Sequence, residues 1–192
     1  VQTITFNWYL IRVSGIVSVA LLLLIIISGI GQVTGWTYRF MPPVRAWLVH
    51  KILAYSLVGA VALHIFPLLI DKFHPATLIQ LFVPFLLQYN NSTTFLGLPL
   101  APVAVGFGVV SIYLMALIIL SSLKWNTTKP RLWGWIHYSS YLLMALIFVH
   151  VLYTGSDVKE SLGRGLWILA GIIILIATAL RLWRAGTLRR KR

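Results

Sequence analysis

The chain has 192 residues, of which 59% are hydrophobic and 10% charged, and its formal net charge is +13. A soluble domain carries about 25% charged residues, so this composition excludes an ordinary water-soluble domain and marks an all-α, polytopic membrane protein, read as one domain over residues 1–192. The absence of cysteine excludes disulfides, zinc–thiolate sites, iron–sulfur clusters and covalent c-type haem attachment.

Residues 8–31 form a long apolar run and are read as the first span; 32–45 follow as a polar turn with Pro42-Pro43, Arg39 and Arg45. The second span is expected at 46–70 and is closed by Asp71-Lys72. Residues 76–88 are apolar but interrupted by Pro84, and a crossing helix needs ~20 residues, so a re-entrant or interfacial helix is expected there. Further spans are expected at 99–122, 133–154 and 165–183, and the chain ends in a basic tail. The basic residues gather in the turns 32–45 and 124–132 and in that tail, whereas Asp71, Asp157 and Glu160 lie in the opposite loops. The positive-inside tendency therefore puts the C-terminus in the cytoplasm and the N-terminus outside. Basic residues so scattered, and so close to span ends, point to a lipid bilayer as partner and not to nucleic acid. All eight tryptophans fall near span ends, where an interfacial belt lies.

The chemistry is carried by four of the five histidines. His50 and His64 share the second span, and His137 and His150 share the fourth. An imidazole inside a membrane span is costly and marks a functional site. His50 and His64 are 14 residues apart, about 21 Å of helix rise and within roughly 40° of one face. His137 and His150 are 13 apart, which in an ideal helix leaves them well off one face. A bulge, a tilt or the reach of the imidazole has to absorb that difference. With 76–88 not spanning, the second and fourth spans run in the same direction. His50 then lies level with His137 near the cytoplasmic side, and His64 level with His150 near the outside. This is the pattern of two stacked b-type haems, each with one axial imidazole from each helix. Two alternatives remain at this point. The histidines are hydrogen-bonded within a bundle, or they form separate metal-ion sites, although the spacing along each helix forbids a single four-His cluster.

The His-x13-His and His-x12-His spacings resemble the transmembrane domain of ferric reductases and NADPH oxidases. So do Arg12-Val-Ser-Gly15, the run Leu81-Phe-Val-Pro-Phe85, the stretch from Trp133 to Tyr141, and Gly155-Ser-Asp157. Over essentially its whole length the chain is similar to the stand-alone bacterial ferric reductase-like transmembrane proteins. The resemblance implies a plasma-membrane protein in which His50, His137, His64 and His150 ligate the iron of two haem b groups. It also implies single-electron transfer from a cytoplasmic flavin- or NAD(P)H-linked donor to an extracytoplasmic acceptor: a ferric chelate, oxygen or a flavoprotein. The family usually carries FAD and NADPH domains after the last span. No Gly-rich dinucleotide fingerprint is present here, so flavin (FAD or FMN) is expected on a partner flavoprotein or on a further domain.

Arg12 is a candidate for the propionates of the outer haem, and Arg45, Lys51 and Arg131 for those of the inner one. Snorkelling to the interface is the plainer account of each. His74, Tyr153 and Asp157 are candidates for an external acceptor site, and Leu57, Val61, Leu143 and Met144 fall at intermediate depth. Two rival readings stay in view. One is a quinol-linked cytochrome b anchor subunit; the other is a non-redox transporter with polar histidines.

Overall fold

A computed structural model describes residues 6–70, 76–87 and 100–189. Within them the chain is helical and has no strand. Helix α1 (Phe6–Thr34) ends where Gly35 takes φ 75°, a left-handed conformation that closes a helix at little cost only for glycine. A short 3₁₀ turn (Thr37–Arg39) leads to α2 (Pro43–Ile70), which starts on a proline whose missing N–H a first turn does not need. Helix α3 (Leu78–Phe82) is followed by α4 (Ala101–Lys124), α5 (Pro130–Tyr138), α6 (Ser140–Thr154) and α7 (Ser161–Arg189).

Among the described residues five helices are long and apolar enough to cross a membrane, the fourth being α5 and α6 together. The 29 residues of α1 rise about 43 Å, against a hydrocarbon core of about 30 Å. The five residues of α3 rise only about 8 Å and cannot cross. Thr77 and Gln80 cap α3 reciprocally: the Gln80 amide donates to Thr77 Oγ1, and the Thr77 amide to Gln80 Oε1 at 2.9 Å. Beyond it Phe85, at φ 65°, turns its ring into the space left by Gly106 of α4, while the Tyr113 hydroxyl donates to the Phe82 carbonyl.

The fourth span is broken at Ser139. The Ser139 amide bonds back to Ile136 over three residues rather than four, and its hydroxyl donates to the same carbonyl at 2.6 Å. A three-residue turn advances about 120° per residue instead of 100°. That overwinding turns His137 and His150 toward a common face, the direction their 13-residue spacing requires.

Packing divides the bundle into two hairpins. Helix α1 lies along α2, α4 lies along α5 and α6, and α7 leans on α1 and α6, while α2 and the α5–α6 span do not pack as a helix pair. The Trp167 indole donates to the Phe148 carbonyl at 3.1 Å and stacks on the Phe148 ring, fixing α7 to α6. Leu57, Leu143 and Met144 are buried in one apolar cluster with Leu22 and Ile26, and Val61 packs against it. This layer lies between the two levels of histidine. The buried serines Ser14, Ser18, Ser111 and Ser121 return their hydroxyls to carbonyls of their own helices, which satisfies them without water.

Candidate cofactor site

Three of the four span histidines, His50, His64 and His150, are held from behind by the neighbouring helix of the same hairpin. His64 places Nδ1 2.9 Å from the Ile11 carbonyl of α1, and His150 places Nδ1 2.9 Å from the Ala104 carbonyl of α4. A ring nitrogen facing a carbonyl oxygen can only donate, so in both rings Nε2 keeps its lone pair for a ligand. The carbonyls are reachable for a local reason. In a helix the side chain at i+4 leans back over the carbonyl of residue i. Here those positions are Gly15 and Gly108. A Cβ on Gly15 would stand 3.1 Å from the His64 ring, and one on Gly108 2.8 Å from that of His150.

The other level is built differently. His50 Nδ1 lies 3.3 Å from Ser28 Oγ, which also accepts from Gln32 Nε2 at 3.2 Å. A Cβ on Gly29 would make only ordinary contact with His50, at 3.5 Å. His137 lies 5.1 Å, ring to ring, from Trp133, and its buried Nδ1 has no hydrogen-bond partner among the described residues. The ring centres of His50 and His137 are 6.3 Å apart across the gap between the hairpins. His64 and His150 are also electrostatic neighbours. The structure thus brings His50 to His137 and His64 to His150, the pairing expected from parallel second and fourth spans. Among the described residues no three His, Cys, Asp or Glu side chains cluster as a metal-ion site.

Two imidazoles sharing one metal through nitrogens at about 2 Å apiece, with about 1 Å more to each ring centre, hold those centres about 6 Å apart. The His50–His137 separation fits that requirement. A gap between the ligand helices, a pair of free Nε2 atoms and glycines where a Cβ would crowd an imidazole fit a flat, bis-imidazole-ligated group.

Arg12 follows Ile11 and so lies level with His64. Its guanidinium grips Asp157, with Nε 3.1 and 3.0 Å from the two carboxylate oxygens and Nη2 also donating, and it lies 4.9 Å from the Trp8 ring centre. The hydrogen bonds from Arg12 hold the Asp157 carboxyl below the ordinary range. Tyr153 is buried in the apolar cluster. Lys51 lies over Trp47 at 5.0 Å and Tyr55 at 5.8 Å, and Arg45 and Arg131 are exposed. His74 lies outside the described residues.

One cation near the site escaped sequence reasoning. Arg181 of α7 donates to the Tyr141 hydroxyl and stacks over the rings of Tyr138 and Tyr141, at 5.2 and 5.5 Å, within electrostatic range of His137. Its signal in the sequence was its place two residues inside Trp183, before the basic tail begins.

No curated protein and no solved structure matches the chain. A family model described as the ferric reductase like transmembrane component matches residues 14–149, more than two thirds of the chain. That segment runs from α1 to the residue before His150 and contains His50, His64 and His137. The chain belongs to the ferric reductase-like transmembrane component family.

Proposed function

We propose that this protein carries single electrons across the membrane through two b-type haems stacked in the gap between its hairpins. His50 and His137 would supply the axial nitrogens of one, and His64 and His150 those of the other. A bound haem would supply reversible one-electron chemistry, and with two histidines holding each iron no position would be left for a further ligand. The chain's residues fix the rest. Ile11 and Ala104 set the tautomer of His64 and His150, Gly15 and Gly108 admit the rings, and Leu57, Leu143 and Met144 keep water out between the levels. The 6.3 Å facing of His50 and His137 carries this reading.

By analogy with the family, electrons enter at the basic, cytoplasmic end from a flavin- or NAD(P)H-linked donor on a partner or further domain. They leave on the outside to a ferric chelate, oxygen or a flavoprotein. Absorption spectra of the purified protein, oxidised and dithionite-reduced, test the core of the proposal. Two low-spin b haems per chain are expected. Absence of a Soret band would overturn the reading in favour of a non-redox transporter.

One observation favours a second reading for the donor. An apolar cavity of about 330 Å³ lined by Leu24, Ile27, Trp36, Phe40 and Leu53 has Ser28, the partner of His50, as a polar point. A membrane quinol fits a lipid-accessible cavity of this kind. Inhibition of haem reduction by quinone analogues, with no effect of a soluble reduced flavin, would select it over the flavin donor.

A further inference from the structure

We infer that the two histidine levels are unequal in reduction potential by construction, the His50/His137 level being the higher. The inference rests on the dihaem reading above and concerns how this chain tunes the two sites.

The first observation is the hydrogen bonding behind the rings. An imidazole that gives its Nδ1–H to a strong acceptor becomes a more basic ligand, and a more basic ligand favours ferric over ferrous iron. His64 and His150 both donate to backbone carbonyls at 2.9 Å. His50 has only a serine hydroxyl at 3.3 Å, and His137 has no acceptor among the described residues. Two well-bonded ligands therefore face two poorly bonded ones.

The lack behind His137 has a specific origin. Fourteen residues on along a helix return to nearly the same face, so the equivalent of Ala104 one level down α4 is Ile118, and the equivalent of Gly108 is Ser122. The Ile118 carbonyl already accepts the hydroxyls of Ser121, at 2.9 Å, and Ser122, at 2.7 Å. Ser122 Oγ in turn accepts the Trp133 indole at 3.1 Å. The carbonyl that would serve His137 is occupied, and the glycine that would uncover it is a serine.

Charge provides the second, independent observation, and it acts in the same direction. Arg12, the cation beside His64, is neutralised by Asp157. Arg181, the cation beside His137, meets two tyrosines and no carboxylate among the described residues. Lys51 follows His50 directly and lies over aromatic rings. Uncompensated positive charge in a low-dielectric surrounding favours the form of the site that holds the extra electron. Each level would carry the same porphyrin and propionates, so the difference comes from these side chains.

An electron arriving at the basic end would then rest at the His50/His137 level. The next step, one level oxidised as the other is reduced, waits on an acceptor that draws the electron away from the His64/His150 level.

A potentiometric titration of the purified full chain, followed by absorbance, tests this. Two one-electron waves are expected in the unaltered protein. His50→Ala should keep only the lower wave and His64→Ala only the upper. Arg181→Gln should lower the upper wave by about a tenfold change in equilibrium, about 59 mV for one electron, and leave the lower wave in place. Arg181→Lys should retain most of the upper value. If His50→Ala keeps the higher wave, or Arg181→Gln moves both waves equally, the assignment is overturned. A single wave with two haems per chain overturns it too. A wild-type protein with fewer than two haems refutes the dihaem reading itself, which the stoichiometry reports separately from the potentials.

Discussion

The Ala104 carbonyl accepts the Nδ1–H of His150 at 2.9 Å, and Gly108, one turn further along α4, has no Cβ to stand between them. A methyl group at Gly108 would lie 2.8 Å from the imidazole, inside contact distance, whereas one at Gly29 would lie 3.5 Å from His50. Gly108→Ala should therefore displace His150 and leave about one haem per chain, while Gly29→Ala should retain both. Haem-to-protein ratio and the low-spin spectrum of the two variants check the difference.

Pairing across the gap makes a prediction about combinations. His50→Ala and His137→Ala should each remove the same site, and the double variant should lose no more haem than either alone. His50→Ala with His150→Ala should lose both sites. Residues that share one partner couple in this way, while independent ones add. Additive loss for His50 and His137 would show that the two rings do not serve one group.

The ion pair of Arg12 with Asp157 should make stability depend on pH. The carboxyl is held below its ordinary value by the hydrogen bonds from Arg12. Its stabilising effect is thus fully present above the unfolded carboxylate value of about 3.9, and it fades as pH falls through the lower folded value. Both side chains are 37% exposed, so Asp157→Asn should cost no more than about 1 kcal/mol at pH 7. The gap in melting temperature between Asp157→Asn and the parent should begin to narrow below about pH 3.9 and close as pH falls through the lower folded value. A gap that persists unchanged would assign it to something other than this pair.

Gly106 is occupied by the Phe85 ring, which an added Cβ would meet at 2.1 Å. Gly106→Ala should cost about 1–3 kcal/mol, the usual penalty of overpacking, read as a lower melting temperature in detergent. In a Phe85→Gly background the same change should be tolerated. The ring is then gone, and a glycine accepts the φ of 65° that Phe85 holds.

Much of this architecture could be read from hydropathy and spacing. Apolar runs long enough to cross, Pro84 in the short stretch after α2 and the fourteen residues between His50 and His64 each report a single physical quantity. The break at Ser139 could not be read, because it depends on which carbonyl one amide and one hydroxyl choose within the same turn. Arg12 was a candidate for the outer level from the sequence, but its partner Asp157 is 145 residues away, a distance that spacing cannot bridge. Arg181 merged with the basic tail because charge counts carry no direction. Its relation to His137 exists only once α7 is laid against α6.

Ile11, Gly15 and His64 make the same three-point seat as Ala104, Gly108 and His150, each within a hairpin traversed in the same order. The chain is in this sense one hairpin written twice on a single thread. Neither copy closes a site alone, since each offers imidazoles along one face with nothing opposite. The thread between the copies, residues 71–100, carries none of the four histidines. The two hairpins co-expressed as separate chains should therefore still assemble the proposed haem sites, read as bound haem, because association of the copies is what makes a binding site.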